Sequence, residues 1–275
     1  MEDAENSLTV GLMDHSFVIP VYGAAPGLGA LIESLRAQDG ARSEILLSSS
    51  TPSTELGEIA KHYALPLHIN SRRLGGISTD WNFALATATK KFITLAHQDD
   101  LFDSSYVSRL RAALCANPGA IMGFCDYSEH SSQGPRARNL NLWIKRVLCR
   151  RAFGTRECIS STRDKKRLLS LGNPICCPSV MLDRSKIPDF RFPRGFRTNL
   201  DWMAWLDLAR SPGGFVYVRD RLVSKGVHAE SATTVTIANR AREREDRALF
   251  HALWPRPIGS VLAAAYRLGY RANRL

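Results

Sequence analysis

Phe92-Ile93-Thr94-Leu95-Ala96-His97-Gln98-Asp99-Asp100-Leu101-Phe102 is the stretch whose reading decides the fold. Its first half is apolar and partly β-branched, the pattern of a buried strand, and it stops at two adjacent carboxylates. Asp99 and Asp100 therefore fall at the carboxyl end of a strand, the edge where open α/β sheets bind ligands. Neighbouring carboxylates both stay ionised only where a cation or hydrogen-bond donors share their charge. A divalent cation that also holds a substrate phosphate would satisfy them. The competing reading is an Asp-Asp turn that merely caps a helix beginning near Ser104.

Outward from this stretch, strands and helices alternate. An apolar run at 16–22 reads as a first strand, followed by a Gly- and Pro-containing turn and a helix through Leu31, Ile32 and Leu35. A second strand at 44–47 leads to a helix over about 53–63 with Ser53 as N-cap, and a third strand spans 66–70. Gly75 and Gly76 then introduce a helix over about 79–89. Beyond the acids come a helix over about 104–116 and a fifth strand at 120–125. This alternation predicts an α/β fold with a doubly wound, mostly parallel central sheet flanked by helices.

After Tyr127 the character changes. A polar loop at 131–138 precedes a basic region, and a turn at 172–178 runs into an apolar strand ending at Leu182. Apolar residues at 202, 205, 206 and 209 have helical spacing. A strand at 215–218, a loop at 225–233 and a charged helix over 238–253 follow. The tail from Ile258 onward reads as a basic amphipathic helix. The natural division is 14–127, 128–237 and 238–275.

Composition narrows the classes. The 275 residues carry a net charge of +11, 44% hydrophobic and 23% charged residues, enough for a large core. The acidic start lacks the pattern of a signal peptide, and no apolar run reaches the ~18 residues of a membrane span, so a cytoplasmic location is expected. Six cysteines without metal-ligand spacing read as reduced, largely buried thiols. The positive charge implies an anionic partner. Eleven Lys/Arg stand against two acids between 136 and 167, and four Arg against none between 255 and 275. No nucleic-acid-binding motif accompanies them, and the 136–167 stretch reads as a solvated face.

Together the segments resemble the family 2 inverting glycosyltransferases, which have the GT-A fold. The run 16–22 is similar to the family's opening strand, and Gly76-Ile77-Ser78-Thr79-Asp80-Trp81-Asn82-Phe83-Ala84-Leu85 to its second donor-binding segment. Ala96-His97-Gln98-Asp99-Asp100 stands where its metal-binding acidic motif belongs. Asn199-Leu200-Asp201-Trp202 resembles the segment with the catalytic base, and His228-Ala229-Glu230-Ser231-Ala232-Thr233 a histidine loop. The resemblance spans about 14–235. It departs in two places: Ser48-Ser49-Ser50-Thr51 replaces an acidic pair that reads the nucleotide base in many members, and His97 replaces the first acid of Asp-x-Asp.

The resemblance implies Asp201 as general base, although Asp201 also reads as the N-cap of a helix from Trp202. It implies Pro20, Tyr22, Ser48, Ser49, Asp80, Gln98 and Asp99 as donor-binding residues. Mg²⁺ or Mn²⁺ would rest on Asp99, with Asp100 and His228 assisting. Asn173, Ser179 and Trp202 are acceptor-cleft candidates, and Trp202 also reads as core. The implied function is metal-dependent transfer of a sugar from a nucleotide-sugar to a glycan or lipid-linked acceptor in cell-surface polysaccharide synthesis. Peripheral contact with an anionic membrane through the tail would accompany it. A non-catalytic GT-A-like protein binding an anionic glycan, lipid or nucleic acid is the alternative. A nucleotidyltransferase is disfavoured, since no glycine-rich, lysine-containing loop follows the first strand.

Overall fold

The computed structural model describes residues 14–40, 42–71, 76–131, 134–135, 140–227 and 241–268. The first half runs β1 (His15–Val21), α1 (Leu28–Arg36), β2 (Glu44–Ser49), α2 (Thr54–His62), β3 (Leu67–Ile69), α3 (Ile77–Thr87), β4 (Phe92–Leu95), β5 (Leu101–Phe102) and α4 (Tyr106–Ala116). The second runs β6 (Ala120–Ser131), β7 (Gly134–Pro135), α5 (Leu140–Phe153), β8 (Cys158–Ile159), α6 (Thr162–Leu169), a 3-10 turn (Cys177–Ser179), β9 (Val180–Asp183), α7 (Leu200–Arg210), β10 (Gly214–Gly226), α8 (Ala241–Leu253) and α9 (Arg256–Leu268).

One mixed sheet runs in the order β3-β2-β1-β4-β9-β6-β10-β5. The first four strands are parallel, as is the β6–β10 pair. β1 lies near the middle of this parallel half, and its Phe17, Val18 and Ile19 are fully buried. The helices cover the two faces of the sheet through the apolar stripes that the spacing predicts. On α1 these are Leu28, Leu31, Ile32 and Leu35, one face of a 3.6-residue period. On α2, Ser53 is the N-cap, and its hydroxyl accepts the Leu56 N–H at 3.1 Å.

Three features depart from the expected order. β9 is antiparallel to both neighbours and separates β4 from β6, so the strand at 120 is not the next parallel partner of β4. β6 and β10 continue well past 125 and 218; their second halves turn polar on one side, which reads locally as loop. Lastly, the residues just after the acid pair form β5, antiparallel to the end of β10. The acid pair is thus fastened by a strand on each side.

The basic region is also more than a solvated face, because it folds into α5 and α6. Lys165 is fully buried, donating to the Ser211 and Gly213 carbonyls at 2.6 and 2.8 Å. The cysteines are free, and four of the six are buried. α8 and α9 pack on the core through Phe250 and Tyr266, whose rings lie 5.3 and 5.7 Å from Trp202.

Gly213, just before β10, has φ +102°, and a β-carbon there would sit 2.3 Å from Ile121 Cγ2. Left-handed backbone and a clash with a fully packed side chain add together. Gly213→Ala is expected to destabilise the fold by about 2–4 kcal/mol, measured as a lowered urea midpoint with unchanged slope.

Candidate active site

After β4 the chain turns through His97–Asp100, with the Asp100 N–H on the His97 carbonyl at 3.2 Å. Gln98 fixes this turn to the loop after β1. Its Oε1 accepts the Tyr22 N–H at 3.0 Å, and its Nε2 donates to the Ala24 carbonyl at 3.3 Å. Two glycines allow the close approach. A β-carbon on Gly27 would lie 3.0 Å from the Gln98 carbonyl oxygen, and one on Gly226 would lie 2.3 Å from that of Asp99.

The two acids are not equivalent. Asp99 is half-buried, whereas Asp100 is buried. Oδ1 of Asp100 accepts the Gly226 N–H at 3.0 Å, while its Oδ2 has no hydrogen-bond partner among the described residues. Burial pushes the Asp100 carboxyl well above the usual carboxylate range; the charge of Asp99 adds to this, and Lys225 and the Gly226 amide oppose it. His97 Nδ1 lies 3.7 Å from Asp100 Oδ2, too far for a hydrogen bond. Burial pushes the imidazole down to about 4 against the pull of Asp99, so His97 is neutral at pH 7. Its ring packs on Trp81 with 4.9 Å between centroids.

Asp201 sits in the first turn of α7. Asn199, not Asp201, is the N-cap. Asp201 Oδ1 accepts the Trp202 N–H at 2.7 Å, and Oδ2 accepts from Asn173 Nδ2 at 2.9 Å. Asn173 is itself oriented, since its Oδ1 accepts the Ile175 N–H at 3.1 Å. Burial raises the Asp201 carboxyl; the Trp202 amide, Arg242, Lys145 and Lys225 act against it. A raised carboxyl is a stronger proton acceptor once ionised.

α8 holds the start of α7 in place. The Glu245 carboxylate accepts the backbone N–H groups of Arg197, Thr198 and Asn199 at 2.6, 3.0 and 3.0 Å, and the Thr198 hydroxyl at 2.7 Å. Asp246 accepts from Asn199 Nδ2 at 2.7 Å. Burial pushes the Asp246 carboxyl up to about 6, with Arg242 and Asn199 opposing.

Lys225, near the end of β10, links the acid tip to Asp201, since its charge acts on both Asp100 and Asp201. Burial alone would pull its ammonium down; Cys176, Asp100 and Glu129 outweigh that and raise it. Lys145 projects from α5 into the same surroundings, donating to the Tyr127 hydroxyl at 2.6 Å. Lys145, Lys225, Arg242, Glu245 and Asp246 escaped the sequence reading. Lys225 follows Arg219 and Arg221 in the polar second half of β10, so it carried no distinguishing signal. Glu245 and Asp246 had none either, since a charged helix reads as solvated.

The other predicted residues fall into three groups. Pro20 and exposed Tyr22 lie at the end of β1, and Asp80 Oδ1 accepts from Asn70 Nδ2 at 3.4 Å beside the same sheet edge. Ser48 and Ser49 are buried, and the Ser49 hydroxyl accepts the Thr51 N–H at 3.0 Å. Two acceptor candidates are corrected. Ser179 is fully buried with its hydroxyl on the Cys176 carbonyl, and Trp202 is core, its Nε1 on the Leu169 carbonyl at 3.1 Å. Neither side chain is exposed to solvent. Asn173 reaches the site as a partner of Asp201. His228 lies outside the described residues.

Among the described residues, no group of three or more His, Cys, Asp or Glu side chains could by itself hold a metal ion. At the strand tip Asp99 presents a half-buried carboxylate, with the buried Asp100 beside it. That donor set fits a cation bound by one or two carboxylates whose remaining ligands are substrate phosphates and water.

A family model described as glycosyl transferase family 2 matches residues 16–187. The chain belongs to this family. Solved structures agree on the fold of this family 2 protein. Staphylococcus aureus TarS 1-349 superposes with a TM-score of 0.63 at 13% identity, covering 94% of this chain and 72% of that one. The same TarS fragment in complex with UDP-GlcNAc gives 0.63 at 14% identity over the same shares. The mannosyltransferase PcManGT from Pyrobaculum calidifontis, in complex with GDP-Man and Mn²⁺, gives 0.64 at 15%, covering 94% and 72%. No curated protein matches the chain.

Removing a donor from an ionised carboxylate raises its pKa. Asn173→Ala should therefore move the Asp201 carboxyl further up, by roughly one pH unit, read by carboxyl-carbon NMR titration. An unchanged midpoint would mean that the 2.9 Å bond does not set the ionisation of Asp201.

Proposed function

We propose that this family 2 glycosyltransferase moves a sugar from a nucleotide-sugar donor to a glycan or lipid-linked acceptor, with inversion at the anomeric carbon. The observation that carries the proposal is a half-buried acid at the tip of β4 and a hydrogen-bonded acid at the start of α7, within a family 2 glycosyltransferase fold. The donor falls to 14–127, the acceptor to 128–237 and the support of α7 to 238–275. The solved TarS and PcManGT complexes with UDP-GlcNAc and GDP-Man support a nucleotide-sugar donor.

In this reading Asp201 accepts the acceptor hydroxyl proton as the acceptor oxygen bonds to the anomeric carbon. The bond from that carbon to the diphosphate oxygen breaks on the opposite face, which gives inversion. Asn173 and the Trp202 N–H keep the receiving carboxylate ionised and aimed. Lys225 supplies a fixed positive charge where the leaving diphosphate gains negative charge. Mg²⁺ or Mn²⁺ held by Asp99 with donor phosphate oxygens would neutralise the leaving group. Pro20, Tyr22, Asp80 and Gln98 line or brace the donor edge, and His228 belongs to the same proposal as a metal or diphosphate contact.

No described helix is long and apolar enough to cross a membrane. We place the protein at the cytoplasmic face of the membrane, working on cell-surface polysaccharide.

The test is turnover of UDP-, GDP- and dTDP-sugars with Mn²⁺. A lost general base costs about 10²–10⁴-fold, so Asp201→Asn should lose that much kcat while still binding the donor. Asp99→Ala should abolish the metal dependence of donor binding. Turnover untouched by both changes would remove the assignment. Salt-sensitive polyanion binding without nucleotide or metal binding would favour the non-catalytic alternative, which His97 and the buried Ser48 and Ser49 motivate.

A further inference from the structure

α5 is apolar on two sides. Its inner side buries Leu142, Leu148, Cys149, Ala152 and Phe153 in the core. Its outer side exposes Leu140 by 64%, Trp143 by 60%, Ile144 by 41% and Val147 by 38%. These four stand at i, i+3, i+4 and i+7, one continuous stripe. The stripe ends in Arg150 and Arg151, which are exposed and continue the same spacing. A helix with apolar residues toward both core and solvent implies a second covering for its outer face.

We infer that this stripe is a docking surface for an anionic lipid bilayer. Charge selects the occupant. The stripe ends in two arginines on a chain of net charge +11, which favours an anionic surface and disfavours a second copy of equal charge. Trp143 has the amphipathic ring suited to the headgroup boundary. Position gives the surface a purpose. Lys145, next to Ile144, points inward to the Tyr127 hydroxyl and acts on Asp201. A bilayer on the outer face of α5 would therefore lie about one helix diameter, ~10 Å, from the Tyr127 hydroxyl that Lys145 reaches. The inference deepens the lipid-linked acceptor of the proposed function, but vesicle binding is measured without turnover.

α9, in the basic tail expected from the sequence to meet the membrane, also exposes Ile258, Val261 and Leu268, but its Arg267 is turned to Glu243, 3.8 Å away. α9 is part of the fold, with Tyr266 against Trp202 and Phe250, and just before it the Trp254 indole donates to the Ser170 carbonyl. Deleting α9 would disturb α7, so surface substitutions are the appropriate probe.

The experiment is co-sedimentation of the full chain with vesicles of phosphatidylcholine, alone or mixed with phosphatidylglycerol. Binding should require the anionic lipid and weaken with salt. Trp143→Ser with Val147→Ser should lower the partition constant at least about tenfold. Arg150→Gln and Arg151→Gln should each lower it about fivefold. Thermal midpoints of these surface variants should match wild type. Asp201→Asn should bind as wild type does, which separates this inference from the catalytic one. Wild type failing to bind anionic vesicles, or binding untouched by the α5 changes, would overturn it. So would binding lost only on Ile258→Ser with Val261→Ser in α9, or a dimer abolished by the α5 changes in a protein that ignores lipid.

Discussion

Asp100 is a buried carboxyl next to a second acid, with one oxygen on the Gly226 amide and Lys225 nearby. An arrangement that concentrates negative charge in low dielectric exists only where donors and a cation stand against it. Here both come from the last residues of β10. The constraint reaches into the rest of the sheet. β10 must be long enough to reach the acids, β5 must pair with its end, and residue 226 must lack a β-carbon, since one would meet the Asp99 carbonyl at 2.3 Å.

The second acid centre is braced from elsewhere. Asp201 sits at a helix start whose amides converge on Glu245, and Asn173 fixes one of its carboxylate oxygens. Glu245 and Asp246 belong to α8, about forty-five residues further along the chain. The C-terminal helices thus act on the site by setting the position and ionisation of one carboxyl. Burial raises both Asp100 and Asp201, yet their hydrogen bonds differ. Asp100 has one amide and an oxygen without a partner among the described residues, which suits support beside Asp99. Asp201 has a donor on each oxygen, which suits a group that must be ionised and aimed.

The parallel half of the sheet was legible because its signals are local: apolar runs of strand length, Gly and Pro at the turns, and Ser53 at a cap. Family membership was legible for the same reason, through short ordered segments around Asp80, Asp99 and Asp201. The antiparallel β9 was not, because strand direction depends on the path taken between strands. The far ends of β6 and β10 were hidden by side chains that alternate between core and solvent. Trp202 is core, as its helical spacing suggested, and Ser179, a cleft candidate in the sequence, is fully buried.

The sequence by itself determined the alternation of elements, the acid pair at a strand end, and the order of motifs that marks family 2, since each rests on spacing along the chain. Only the tertiary structure decided which acid is the more exposed, which cations act on the buried carboxyls, and which helices keep apolar residues in solvent. Those outcomes depend on burial and on contacts between residues far apart in sequence, such as the 126 positions separating Asp100 from the amide that holds it.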